Sequence, residues 1–218
     1  MTTEHPMLFT GEMVRAILGG SKTQTRRIVK KQPPDGWDRN CWYSAPVWGW
    51  TAQQTPASQW HTVRCPFGEP GDRLWVRETW QHSNHPFGPY DDDCDVFYRA
   101  DYLDDPLGPD LERSADGIRR QWRPSIHMPR RACRLTLENT GVRVERLQDI
   151  SEADCIAEGI QRYTGPLRWV RYLDAVTGEP AHNTARDAYF SLWEHLHGRG
   201  SVEVNPWLWV IDFRRDGA

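Results

Sequence analysis

The run Pro206-Trp207-Leu208-Trp209-Val210-Ile211-Asp212-Phe213 constrains the fold more than any other stretch of the chain. Successive side chains of an extended strand point to opposite faces, and here apolar residues occupy both parities, so the run reads as a strand buried on both sides. Only 38% of the 218 residues are hydrophobic but 12 are Trp, so the apolar material comes in a few large, amphipathic pieces. Such pieces suit a barrel core or a stacking surface. The length allows one large domain or two small ones, and a core that needs no staples.

Taken in order, residues 10–18 predict a short amphipathic helix: Thr10 caps it, and Met13/Ile17 and Val14/Leu18 repeat at four-residue spacing. Gly19-Gly20 ends it. From Lys31 to Pro70 periodicity dissolves into Pro, Gln, Gly, Ser and scattered Trp, which reads as an irregular insertion. Its aromatic segment from Trp37 to Trp60 is read as packing against the body, over a lid or a dimer contact. Pro70-Gly71-Asp72 then signals a turn before a strand from Arg73 to Trp80. Residues 81–118 lose periodicity again, apart from a short strand over Asp95–Ala100. A hairpin is expected from Cys133–Leu137 and Val142–Leu147, with Glu138-Asn139-Thr140-Gly141 as its turn. Ile150–Gly159 predicts a second helix, capped by Ser151 and ended by Gly159, and residues 184–197 a third. The fold class is α+β: a small, mostly antiparallel β-barrel with flanking helices, forming a single domain over 1–218. Insertions fall at about 32–69, 81–125 and 161–182.

A formal net charge of −3 argues against an extended nucleic-acid groove that depends on counterion release. Charge is nevertheless segregated, with Arg119, Arg120, Arg123, Arg130, Arg131 and Arg134 in an acid-free run able to meet phosphates. The five cysteines are scattered and odd in number, a cytosolic pattern without a disulfide framework. His61 and Cys65 form one isolated near-pair, so neither metal nor cofactor is expected. No stretch approaches membrane-spanning length, and a cytoplasmic protein is expected.

The chemistry concentrates after the first helix, in Gly19-Gly20-Ser21-Lys22-Thr23-Gln24-Thr25-Arg26-Arg27. A lysine, two threonine hydroxyls and two guanidiniums follow a flexible turn, bringing together a base, nucleophiles and anion-binding forks. Glu158 lies at the last turn of the second helix, where the macrodipole disfavours a carboxylate. Helix stability therefore does not account for it. On the Arg73–Trp80 strand, Glu78 shares a face with Leu74, Val76 and Trp80. It is either a partner for one of the arginines or part of a site.

With these residues in view, the chain resembles the ASCH group of the PUA-like barrels. The likeness rests on the Gly19–Arg26 stretch, the Gly71-Asp72-x-Leu74-x-Val76 strand, the Leu147–Ile160 helix and the closing Trp207–Phe213 strand. It looks most like ASCH proteins of phages and bacterial genomes that carry large insertions. The small bacterial N4-acetylcytidine amidohydrolases, which carry a Lys/Thr/Glu site and are about half the length of this chain, are its nearest enzymatic relatives. The family's glycine, lysine, threonine and arginine fall on Gly20, Lys22, Thr25 and Arg26, and its glutamate on Glu158. ASCH members also include proteins inferred to bind RNA and a few nucleases.

That resemblance implies removal of an acyl group from an N4-acylated cytosine nucleoside or a similar modified base. Lys22 would act as base, Thr25 as nucleophile or holder of the attacking water, and Glu158 as the acid for the leaving nitrogen. Arg26 and Arg77 are candidates for the oxyanion or ribose, with Glu78 beside them and Trp80 or Trp75 for stacking. In a regular strand Lys22 and Thr25 face opposite sides, so they converge only if the chain turns between them. Against the triad stands a Lys22–Glu158 salt bridge that ties the turn to the second helix, with Thr25 in a backbone hydrogen bond. The alternative function is a non-catalytic ASCH module that holds a nucleotide or an RNA in the same pocket, with the Arg119–Arg134 run on the phosphates, or a ribonuclease.

Overall fold

A computed structural model describes residues 2–37, 39–44, 47–51, 61–85, 87–104, 122–166 and 168–216. The architecture is α+β and mostly antiparallel. Its centre is a five-stranded sheet in the order β1 (Glu4–Leu8), β6 (Arg73–Arg77), β9 (Thr136–Arg146), β12 (Trp207–Arg215), β2 (Gln24–Ile28). Only the β1–β6 pair is parallel; β6–β9, β9–β12 and β12–β2 are antiparallel. The long strand β12 therefore sits inside the sheet, as its two apolar parities require. Its inner face, Trp209, Ile211 and Phe213, joins Leu74, Val76, Leu137 and Val144 in the main core, which α1 (Gly11–Leu18) closes with Val14 and Ile17. On the outer face Leu208 belongs to a second core with Leu147, Ile150 and Cys155 and with Ala188, Tyr189 and Trp193 of α3 (Ala185–His197).

Edge strands β1 and β2 are tied by a side chain: Arg27 Nη2 donates to Leu8 O at 2.5 Å, with its guanidinium 5.2 Å from the Phe9 ring centroid.

Several sequence expectations are corrected. Residues 133–147 do not turn back at 138–141: β9 runs unbroken through Glu138-Asn139-Thr140-Gly141. Asn139 is buried, donating from Nδ2 to Phe67 O (3.2 Å) and from its backbone N–H to Asp72 O (2.9 Å). Gly141 faces Asp212, where the β9–β12 register shifts, and an added Cβ would lie 3.1 Å from Asp212 Oδ2. Those residues serve a buried crossing and a bulge, which draw on the same residue types as a turn.

The Arg73–Trp80 strand ends at Arg77, and Trp80 opens a separate ribbon of β7 (Trp80–His82) and β8 (Val96–Tyr98). The insertion between Lys31 and Pro70 contains its own antiparallel sheet of β3 (Arg39–Ser44), β4 (Val47–Thr51) and β5 (His61–Arg64). Trp48 and Trp50 anchor it, meeting Trp209 and Trp207 edge-on at 5.1 and 5.7 Å, as the packing reading expects; Trp60 lies outside the described residues. The 161–182 segment likewise holds a hairpin, β10 (Arg162–Thr164) with β11 (Val170–Tyr172).

Candidate active site: the Lys22–Glu158 pair

Two capped helices deliver the pair. Thr10 Oγ1 accepts from Met13 N at the start of α1; at its end Gly20 takes a left-handed φ of 75°, and the backbone N–H groups of Ser21 and Lys22 both donate to Ala16 O. The chain turns there and enters β2. Helix α2 (Glu152–Ala157) is capped by Ser151, whose Oγ accepts from Asp154 N at 3.1 Å, and it ends at Glu158 with Gly159 at φ 102°. Thr23 N donates to Ala157 O at 2.8 Å, fastening the two turns together.

Lys22 is thus laid against Glu158. Its Nζ donates to Glu158 Oε2 at 2.5 Å and to the Glu158 main-chain oxygen at 2.7 Å, a carbonyl that the helix end leaves free. The side chains are 1% and 7% exposed. Burial pulls the Lys22 ammonium below its ordinary value, working against the attraction of Glu158, and Arg27 and Arg26 push the same way as burial. The other carboxylate oxygen, Glu158 Oε1, is buried without a hydrogen-bond donor among the described residues; Arg26 Nη1 stands 3.7 Å off. Tyr189 is buried nearby, its hydroxyl held protonated by desolvation and by the Glu158 charge.

Arg26 lies in a polar lattice between the outer face of the sheet and α2. Its Nη2 donates to Glu145 Oε2 (3.0 Å) and lies 3.2 Å from Asp154 Oδ2, and its Nη1 donates to Gln24 Oε1. Gln24 Nε2 donates to Asp154 Oδ1 and Asp212 Oδ1, and Arg143 forks onto Glu145, Asp154 and Asp212. Asp154 titrates at about 2: burial raises it, and the hydrogen bonds from Gln24 and Ser151 with the charges of Arg26 and Arg143 outweigh that. Sequence reasoning missed this lattice. Asp212, one carboxylate in an apolar strand, is its visible sign.

Thr25 is buried, but it pairs with Ile211 on the inner face of the sheet, opposite Gln24 and Arg26. Its hydroxyl makes no hydrogen bond to Lys22 or Glu158. Glu78 and its neighbours take no part in the hydrogen bonds and ion pairs of Lys22 and Glu158. Glu78 is fully buried and gripped by Arg134, Nε to Oε1 at 2.9 Å and Nη2 to Oε2 at 3.0 Å. Trp80 is buried against Tyr90 and Arg123, and Arg77 donates to the backbone oxygens of Ser125 and Ile126 beside Trp75. The structure therefore brings together Lys22, Glu158 and Arg26, and leaves Thr25, Arg77, Glu78, Trp80 and Trp75 outside that contact.

The arginine run also has internal partners: Arg123 with His82, Arg130 with Glu4, Arg131 with Asp92, Arg134 with Glu78 and Asp101. Arg119 and Arg120 lie outside the described residues.

An open groove of about 590 Å³ lies over the turn, lined by Gly20, Ser21, Thr23, Ala157, Gln161 and Arg162 among others. These include the chain neighbours of Lys22 and Glu158. Among the described residues no cluster of His, Cys, Asp and Glu could hold a metal ion, and no helix is long and apolar enough to cross a membrane. Comparison with protein-family models, curated proteins and solved structures gives no match.

Proposed function

We propose that the chain is an amidohydrolase of the ASCH, PUA-like type, acting on N4-acylated cytosine nucleosides or a similar modified base, with Lys22 and Glu158 as its acid–base pair. One observation carries the reading: a desolvated lysine in contact with a carboxylate that keeps one oxygen free of donors. A buried ion pair is a poor device for stability alone, whereas a lysine drawn toward neutrality is a usable base. The sheet whose edges Arg27 joins supports the barrel reading.

In this mechanism neutral Lys22 takes a proton from a water entering at the turn, and the oxygen attacks the acyl carbon. Arg26 stabilises the oxyanion. The C–N bond breaks as a proton passes through Glu158 to the exocyclic nitrogen, giving the carboxylic acid and the free cytosine amine. Water replaces Thr25 as the attacking group, because the threonine faces the core.

The test is cytidine release from N4-acetylcytidine. The reading expects turnover by the wild type, and a fall of about 10²–10⁴-fold in Lys22→Met and Glu158→Gln. Wild-type release no faster than the blank overturns it. A non-catalytic nucleotide-binding or RNA-binding module is the second reading, favoured by the tight seal over both side chains; it predicts binding without turnover.

A further inference from the structure

The β10–β11 hairpin carries a surface that the hydrolytic reading does not use. No acidic residue occurs between Ile160 and Leu173, while Arg162, Arg168 and Arg171 alternate with Tyr163, Trp169 and Tyr172. Arg162 and Arg168 have no ion-pair partner among the described residues, in contrast to Arg26, Arg130, Arg134 and Arg143. Tyr163 and Trp169 are 40% and 41% exposed, with ring centroids 5.4 Å apart. Large aromatic rings left open beside unpaired guanidiniums are unusual on a surface with no partner.

The rings are held in place. Trp169 lies over Gly165 so closely that an added Cβ there would overlap the indole, and Arg168 takes a left-handed φ of 60° at the tip. The base of the hairpin is fixed by Leu173 N donating to Gln161 O at 2.9 Å and by the Tyr172–His182 bridge. Arg162 also lines the groove that Ser21, Thr23 and Ala157 share. The surface thus runs into the turn that carries Lys22.

We infer that this hairpin binds single-stranded nucleic acid, stacking bases on Tyr163 and Trp169 and holding phosphates with Arg162 and Arg168, so that the modified base is presented within a strand. Ring faces accept any base and guanidiniums hold the backbone, which together grip a single strand without reading its sequence. An acidic peptide would use the guanidiniums and leave the rings idle. Only the placement of a base at Lys22 rests on the proposed hydrolysis.

The test is fluorescence anisotropy with end-labelled, unmodified oligonucleotides of about 12 nucleotides: oligouridylate, oligothymidylate and a mixed-sequence duplex. A single strand is expected to bind at least about 10-fold more tightly than the duplex, and Tyr163→Ala/Trp169→Ala to weaken it about 10-fold or more. Preference for RNA or for DNA names the polymer, and either supports the surface. Arg162→Gln/Arg168→Gln is expected to flatten the salt dependence by about one unit of slope. Absence of binding, equal duplex affinity, or single-strand affinity unmoved by both double variants with unchanged circular dichroism overturns the inference. These probes carry no acyl group, so failure here and failure of nucleoside turnover are separate results.

Discussion

Lys22 Nζ lies 2.5 Å from Glu158 Oε2 across 136 residues of chain, with both side chains almost wholly out of water. Removing one partner strands the other. Lys22→Met is expected to lose about 3–5 kcal/mol in urea unfolding, because an uncompensated carboxylate stays buried. Lys22→Met/Glu158→Leu is expected to recover most of that loss, giving a large coupling in the double-mutant cycle.

Gly159 is where backbone and site meet. Its φ of 102° strains any L side chain, and an added Cβ would come to 3.4 Å from Lys22 Cβ and 3.6 Å from Ala16 Cβ. Gly159→Ala is expected to cost about 1–2 kcal/mol by thermal or urea unfolding. The added Cβ meets Lys22 at ordinary van der Waals distance, so the cost comes from the backbone and turnover per folded molecule is expected to change little.

The acid limb of stability reports on the lattice below α2. Asp154 titrates at about 2 in the fold against an ordinary 3.8, so the unfolded chain binds its proton first as pH falls. Its contribution is fully present above about pH 4 and is lost as pH drops through about 2. Allowing for its partial exposure, it amounts to about 1–2 kcal/mol near neutrality. Urea midpoints between pH 5 and about 2 should therefore fall less steeply in Asp154→Asn than in the wild type.

How far the fold could be read from sequence depended on what each residue type reveals. Both-parity burial of the C-terminal strand, the caps at Thr10 and Ser151 and the glycine stops at Gly20 and Gly159 were legible, since each follows from local stereochemistry. Asn139 and Gly141 misled because a buried crossing and a bulge use the same residues as a hairpin turn. β3, β4 and β5 were hidden because runs of 6, 5 and 4 residues are too short to show a period, and in β4 Gly49 stands between Trp48 and Trp50, which share one face. Of the site, the Lys22–Glu158 contact answered to the misplaced carboxylate at a helix end, whereas the side of β2 that Thr25 takes was set by where β2 begins, at Gln24. Arg27's reach to Leu8 had no sequence signature, being fixed by strand order alone.

The second buried ion pair supplies a pH-resolved contrast. Burial lifts the Glu78 carboxyl above its ordinary 4.5 even though Arg134 grips both its oxygens. A raised carboxyl favours the folded protein most below the unfolded value and loses that advantage as pH rises through the folded one. Arg134→Met removes the cation and drives the carboxyl higher still, so the loss is greatest where Glu78 must be charged. The variant is expected to lose about 3–5 kcal/mol at pH 7 and clearly less at about pH 4, where the stranded group takes up a proton. Urea unfolding at the two pH values measures the difference; an equal loss at both would mean that Glu78 is not the group left exposed to the missing charge.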